Sequence, residues 1–151
     1  KMNNDLIADK AVAYFNDGFL CSESVLMALA EAYGIDSPHV PSIATAFGSG
    51  LSRTNGPCGA LSGGILALSL LHGRNEGKQD YAQLYKNVAL LQNTFNEKFA
   101  STACTQLLGF SMADNDASEK FTKNECKKNT CNHCVRYVVE EVQHILSSQK
   151  D

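Results

Sequence analysis

No run of apolar residues in this chain is long enough to cross a bilayer. The longest, ILALSLL at 65–71, falls far short of the roughly 20 residues a spanning helix needs. The first twenty residues carry Asp5, Asp9, Lys10 and Asp17 and lack the apolar core of a secretory signal. Alternating apolar and polar runs are missing as well, so nothing announces a β-strand. Asn55-Gly56 precedes a helix-starting proline instead of joining two β-branched segments. Positive charge is not in excess: the net charge of −3 gives no general attraction to nucleic acid. The local basic cluster of Lys120, Lys123, Lys127, Lys128 and Arg136 reads as a solvated surface. These absences lead to the expectation of a cytoplasmic protein with neither a membrane nor nucleic acid as its partner.

Several catalytic signatures are also missing. FGSGLS, at 47–52, contains Gly-x-Gly but follows no strand, so it is not a dinucleotide loop. There is no nucleophile elbow of the Gly-x-Ser-x-Gly type. CNHC, at 131–134, has the Cys-x-x-Cys spacing of a redox dithiol or of half a zinc site. It is followed by Val135, where c-type haem attachment needs His. His133 stands within this motif as a candidate ligand, whereas His39, His72 and His144 are isolated and read as surface or packing residues.

What remains is a chain of 151 residues, 44% hydrophobic and 19% charged, which fits one globular domain over 1–151. Its apolar pattern is helical. Leu6, Ile7, Ala11, Tyr14 and Phe15 share a face of a first helix, capped by Asn3 or Asn4 and ended by Gly18. A second helix covers 21–33 and closes at Gly34. Ser37 and Pro38 predict a short third helix running to Ala46. The stretch FGSGLSRTNG breaks the pattern and predicts a loop with unusual dihedrals or close backbone approach. Pro57 opens a fourth helix, Cys58 to Leu71. Tyr81, Leu84, Tyr85, Val88, Leu91, Phe95 and Phe99 define the fifth. Ser101 and Thr102 precede a short sixth with Cys104 and Leu107, and Thr130 caps a last one striped with Val135, Val138, Val139, Val142, Ile145 and Leu146. The expectation is an all-α bundle of six or seven helices.

Six cysteines stand out in a cytoplasmic protein, because a reducing compartment disfavours structural disulfides and gives weight to metal binding or redox chemistry. Their predicted positions recur. Cys21, Cys58, Cys104, Cys131 and Cys134 fall in the first turns of helices, and Cys126 falls in a loop. A helix N-terminus favours thiolate over thiol, and thiolate is the form that binds metals and attacks disulfides. Gly59, Ala60, Gly63 and Gly64 strip one face of the fourth helix, which allows another helix or a cofactor to come close.

The chain resembles the family of redox-active proteins named for their C-GCAxxG-C-C cysteine pattern. DGFLCSESVLMALAEAYG resembles its first cysteine helix and gives Cys21. FGSGLSRTNGPCGALSGG resembles its glycine-rich loop and core, giving Arg53, Cys58, Gly59, Ala60 and Gly63. CTQLLGF gives Cys104 and CVRYVVEEV gives Cys134. The chain departs from the family pattern at Pro57, where the family name has Gly, and in its additional Cys126 and Cys131.

The resemblance implies redox activity. The reading that follows is an iron–sulfur cluster held by Cys21, Cys58, Cys104 and Cys134, the normal thiolate count, with Arg53, Gly59 and Gly63 beside the cofactor and a redox protein as partner. Two rivals stay open. One is thiol–disulfide exchange with Cys58 as the reactive thiol, and the other is a structural zinc module. Oligomeric state is open too, a homo-oligomer included.

Overall fold

The computed structural model describes residues 3–149. Among these there is no β-strand, and helices dominate as the periodicity predicts. Helix α1 (Asn4–Asn16) begins where the Asn3 side chain accepts from the Asp5 N–H at 2.9 Å. Helix α2 (Cys21–Ala32) follows after a short turn. The predicted helix from Ser37 to Ala46 forms only in its second half, as a 3-10 turn at Ser42–Phe47. Ser37 accepts from the His39 N–H at 3.2 Å, so its hydroxyl closes a local turn instead of capping a helix.

The glycine-rich stretch has the unusual backbone its composition predicts. Helix α3 (Gly48–Arg53) is one turn of left-handed sense: Ser49, Gly50, Leu51 and Ser52 have φ between 55° and 66°. Non-glycine residues resist this region by about 1–2 kcal/mol each. Compensating bonds hold it, from the Gly56 N–H to the Gly50 carbonyl at 2.8 Å and from the Ser52 hydroxyl to the Ala46 carbonyl at 2.7 Å.

Helix α4 (Gly59–His72) is the centre of the bundle, with Ala60, Leu61, Ala67 and Leu68 buried. It lies against α2, α5 (Ala82–Phe99) and α8 (Asn132–Ser147). A Cβ at Gly63 would stand 2.5 Å from the Ser22 carbonyl oxygen, so the missing side chain sets the α2–α4 separation. Helix α5 buries Leu84, Leu91 and Phe95, but Tyr81 and Tyr85 at its start are exposed. Their rings meet at a tilt of 53° with centroids 4.7 Å apart, and Arg74 lies over the Tyr81 ring. The predicted valine stripe of α8 is buried throughout.

Helices α6 (Cys104–Leu108) and α7 (Ala117–Lys123) lead into a feature hidden in the polar run KKNT. Lys127–Cys131 is a π-turn, in which the Asn132 N–H reaches back to the Lys127 carbonyl. The helix that continues as α8 therefore starts before Thr130, and Thr130 does not cap it. No helix among the described residues is long and apolar enough to cross a membrane.

Candidate functional site

The 56–58 and 102–104 segments are stapled by backbone bonds. The Cys58 N–H donates to the Thr102 carbonyl at 2.7 Å, and the Cys104 N–H donates to the Gly56 carbonyl at 3.1 Å. Pro57 and Ala103 thus form an isolated antiparallel bridge, which fixes Cys58 and Cys104 on either side of it. Proline suits this place because its missing N–H is not needed in the pairing. Cys58 becomes the N-cap residue of α4 and Cys104 the first residue of α6.

Cys21 is the first residue of α2. Glu23 secures that helix start: its carboxylate accepts from the Leu20 N–H at 2.8 Å and from the Thr45 hydroxyl at 2.6 Å. The Cys21 sulfur lies on Gly59, where a Cβ would stand 2.5 Å from it. Gly59 therefore joins the first and second cysteines of the pattern by letting the thiol lie on the α4 backbone. The third approach comes from the π-turn and α8. Lys127, Thr130, Cys131 and Cys134 share one face there.

These segments enclose a cavity of about 200 Å³. Five cysteines line it: Cys21, Cys58, Cys104, Cys131 and Cys134. Most of the remaining wall is apolar, with Phe15, Phe19, Leu107, Met112 and Phe121 prominent. All six cysteines are free thiols. Cys126 is buried but does not line the cavity.

Charge on these sulfurs is unevenly distributed. Interaction with the neighbouring Cys134 thiol holds the Cys58 thiol below its usual range despite burial. The N–H groups of Leu61 and Ala60, at the start of α4, act in the same direction. Cys134 is correspondingly raised, first by its interaction with Cys58 and then by burial. Burial, then repulsion from Cys58, pushes Cys21 up to about 12, although backbone N–H groups of Ser49 and Ser22 oppose the rise. Cys104 is pushed up to about 11 by burial and by Cys58, and Cys131 is raised mainly by burial.

The expectation that every helix-start cysteine favours thiolate therefore fails for four of the five. Desolvation outweighs the helix end for Cys21 and Cys104. Cys131 and Cys134 lie inside a continuous helix whose N–H groups are already bonded.

The four pattern cysteines come together at one cavity. Cys131, outside that set, joins them; its Cys-x-x-Cys relation to Cys134 and its predicted place at a helix start were the signals for it. Gly59 lines the cavity, whereas Gly63 packs against the Ser22 carbonyl of α2. Arg53 is exposed on α3 and does not line the cavity. His133 is exposed, as are His39, His72 and His144. Among the described residues no group of three or more His, Cys, Asp or Glu is drawn together around a single-ion position.

A family model described as "Putative redox-active protein (C_GCAxxG_C_C)" matches residues 19–145, a span that contains all five cavity cysteines and α3. Comparison with curated proteins and with solved structures gives no match.

Proposed function

The chain belongs to the C_GCAxxG_C_C family, and from that premise we propose that its clustered thiols carry redox chemistry by holding an iron–sulfur cluster. The observation that carries this reading is five cysteines, from four separate parts of the chain, around one apolar cavity. A dithiol exchange site needs two thiols, whereas a cluster takes four. The donor chemistry fits. The five sulfurs line one apolar hollow, and four thiolates are the ligand count a polynuclear core takes.

When bound, a cluster would supply one-electron transfer at a potential set by charge, hydrogen bonding and solvent access. Cys21, Cys58, Cys104 and Cys134 are the ligands by the family pattern, with Cys131 as a fifth thiol at the same wall. Cys58 offers the most readily ionised sulfur. Gly59 keeps the Cys21 sulfur against α4. Phe15, Phe19, Met112 and Phe121 give the cavity an apolar wall. The partner on this reading is a redox protein, and free thiols of this number suit a reducing compartment such as the cytoplasm.

One observation favours a second reading, thiol–disulfide exchange. Cys58 and Cys134 line the same cavity, and Cys134 is the main influence that holds Cys58 below its usual range. The Cys58 thiolate would attack a substrate disulfide, forming a mixed disulfide and releasing one substrate thiolate. Cys134, giving its proton to that leaving thiolate, would then displace the second substrate thiolate and close a Cys58–Cys134 disulfide. Two electrons would pass to the substrate.

Metal and sulfide analysis of protein isolated without oxygen tests the choice. Iron with acid-labile sulfide and a visible charge-transfer band is expected. Stoichiometric zinc without colour, or metal-free protein that closes a Cys58–Cys134 disulfide on mild oxidation, would overturn the cluster reading.

A further inference from the structure

We propose that Lys127 is the counter-charge of the cysteine cavity, its ammonium offsetting the negative charge gathered there and raising the midpoint potential of a cluster bound by these thiolates. The inference rests on the cluster reading of the cavity.

Apart from the thiols themselves, Lys127 is the only ionisable side chain among the residues lining the cavity. It opens the π-turn that ends at Cys131, so one turn of helix brings a lysine and a cysteine to the same cavity. Its surroundings hold it in place without neutralising it. The ammonium donates to the Phe15 carbonyl at 3.2 Å and lies 4.7 Å from the centre of the Phe15 ring. Both partners are uncharged. The ion pairs among the described residues engage Lys10, Lys120 and Arg136, and none engages Lys127.

Lys127 is half-buried and has no carboxylate partner among the described residues, and a charge in that setting is stabilised by negative charge near it. The negative charge of a loaded cavity would be that of the ligating thiolates and the cluster.

A purely structural role would be to cap the C-terminal end of α1. That carbonyl, however, already accepts from the backbone N–H groups of Asp17 and Gly18, so the lysine is not needed to satisfy it. A cation fixed near a redox centre stabilises its more negative, reduced form, which raises the potential.

The test uses the full chain reconstituted with iron and sulfide without oxygen, as the parent, Lys127→Arg, Lys127→Met and Lys127→Gln. Iron content, thermal melting and the midpoint potential are measured on each. Lys127→Met and Lys127→Gln are expected to lower the potential by about 59 mV, a tenfold change in a one-electron equilibrium, while Lys127→Arg stays at the parent value. Loss of loading in both neutral variants with retention in Lys127→Arg also supports the counter-charge. Unchanged potentials in the neutral variants, or equal loss in all three variants, overturn it while the parent's own loading leaves the cluster reading intact. A parent that takes up no iron and sulfide overturns the cluster reading and this inference with it.

Discussion

Cys58, at the start of α4, and Cys134, in the first turn of α8, line the same cavity, and the Cys134 thiol is the main influence that holds Cys58 below its usual range. Two neighbouring thiols that interact this way do not titrate independently, and one of them ionises more readily than it would alone. In the metal-free, reduced protein, Cys58 is therefore expected to react with iodoacetamide at lower pH than any other cavity cysteine. Cys134→Ala removes the neighbouring thiol and shifts the Cys58 profile upward. Site-resolved mass spectrometry across a pH series checks both statements. A Cys58 profile indifferent to Cys134→Ala would show that Cys134 does not govern its ionisation.

Gly59 carries the second prediction. Alanine at a helix start is ordinarily harmless or favourable by about 0.5–1 kcal/mol. Here its Cβ meets the Cys21 sulfur at 2.5 Å, with the Phe47 carbonyl oxygen at 3.0 Å behind it. Gly59→Ala is expected to destabilise the protein by about 1–3 kcal/mol and to reduce cluster loading by displacing Cys21. Urea unfolding and iron content are the measurements. Gly63→Ala meets the α2 backbone instead, so its loss of loading should follow its loss of stability.

The fold was legible wherever one face of a helix is buried. The stripe of α8 was readable because apolar spacing and burial coincide there; in α1 the same holds for Ile7, Ala11 and Phe15, whereas Leu6 on the predicted face is exposed. Tyr81 and Tyr85 satisfy the same spacing yet lie outside the core, since an aromatic pair can cover itself by ring-to-ring contact. The left-handed turn α3 was readable only as a departure from helix, through its glycines. The pairing of 56–58 with 102–104 had no signal, because it is made of backbone groups in segments without alternation. The π-turn was hidden because Lys127, Lys128, Asn129 and Thr130 are polar, and polarity there reads as a loop with a capping threonine. That concealed the inclusion of Cys131 in the cavity wall, while the four-cysteine set and its expected convergence could be read from the family pattern.

Raised thiols make stability depend on alkaline pH. Unfolded cysteines titrate near about 8.5, whereas burial holds Cys21 up to about 12 and Cys104 up to about 11 in the fold. Between those limits the native protein binds more protons than the unfolded chain, so stability falls as pH rises. The slope is about 1.4 kcal/mol per pH unit for each such group. Denaturant unfolding of reduced, metal-free protein should lose stability from about pH 9 to about pH 11. A flat profile would mean that these thiols are more hydrated than their burial implies.

The two additional cysteines separate by position. Cys126 is buried outside the cavity wall, and Cys131 lies on it. Cys126→Ser is expected to leave iron loading within about twofold of the parent while costing about 1–3 kcal/mol for a buried hydroxyl. Cys131→Ser is expected to retain loading but to change the visible spectrum, because a thiol beside the ligands is replaced by a hydroxyl. Identical spectra for the two variants would remove Cys131 from the site.

The central claim is that Cys58 is presented as a cluster ligand by the bridge at Pro57 and the start of α4. Reconstitution of the parent and Cys58→Ser without oxygen, followed by iron and sulfide determination, tests it most directly. The expected result is a parent that binds iron and sulfide and a variant that binds neither while melting within a few degrees of the metal-free parent. A variant that loads like the parent, or a parent that stays empty, would contradict it.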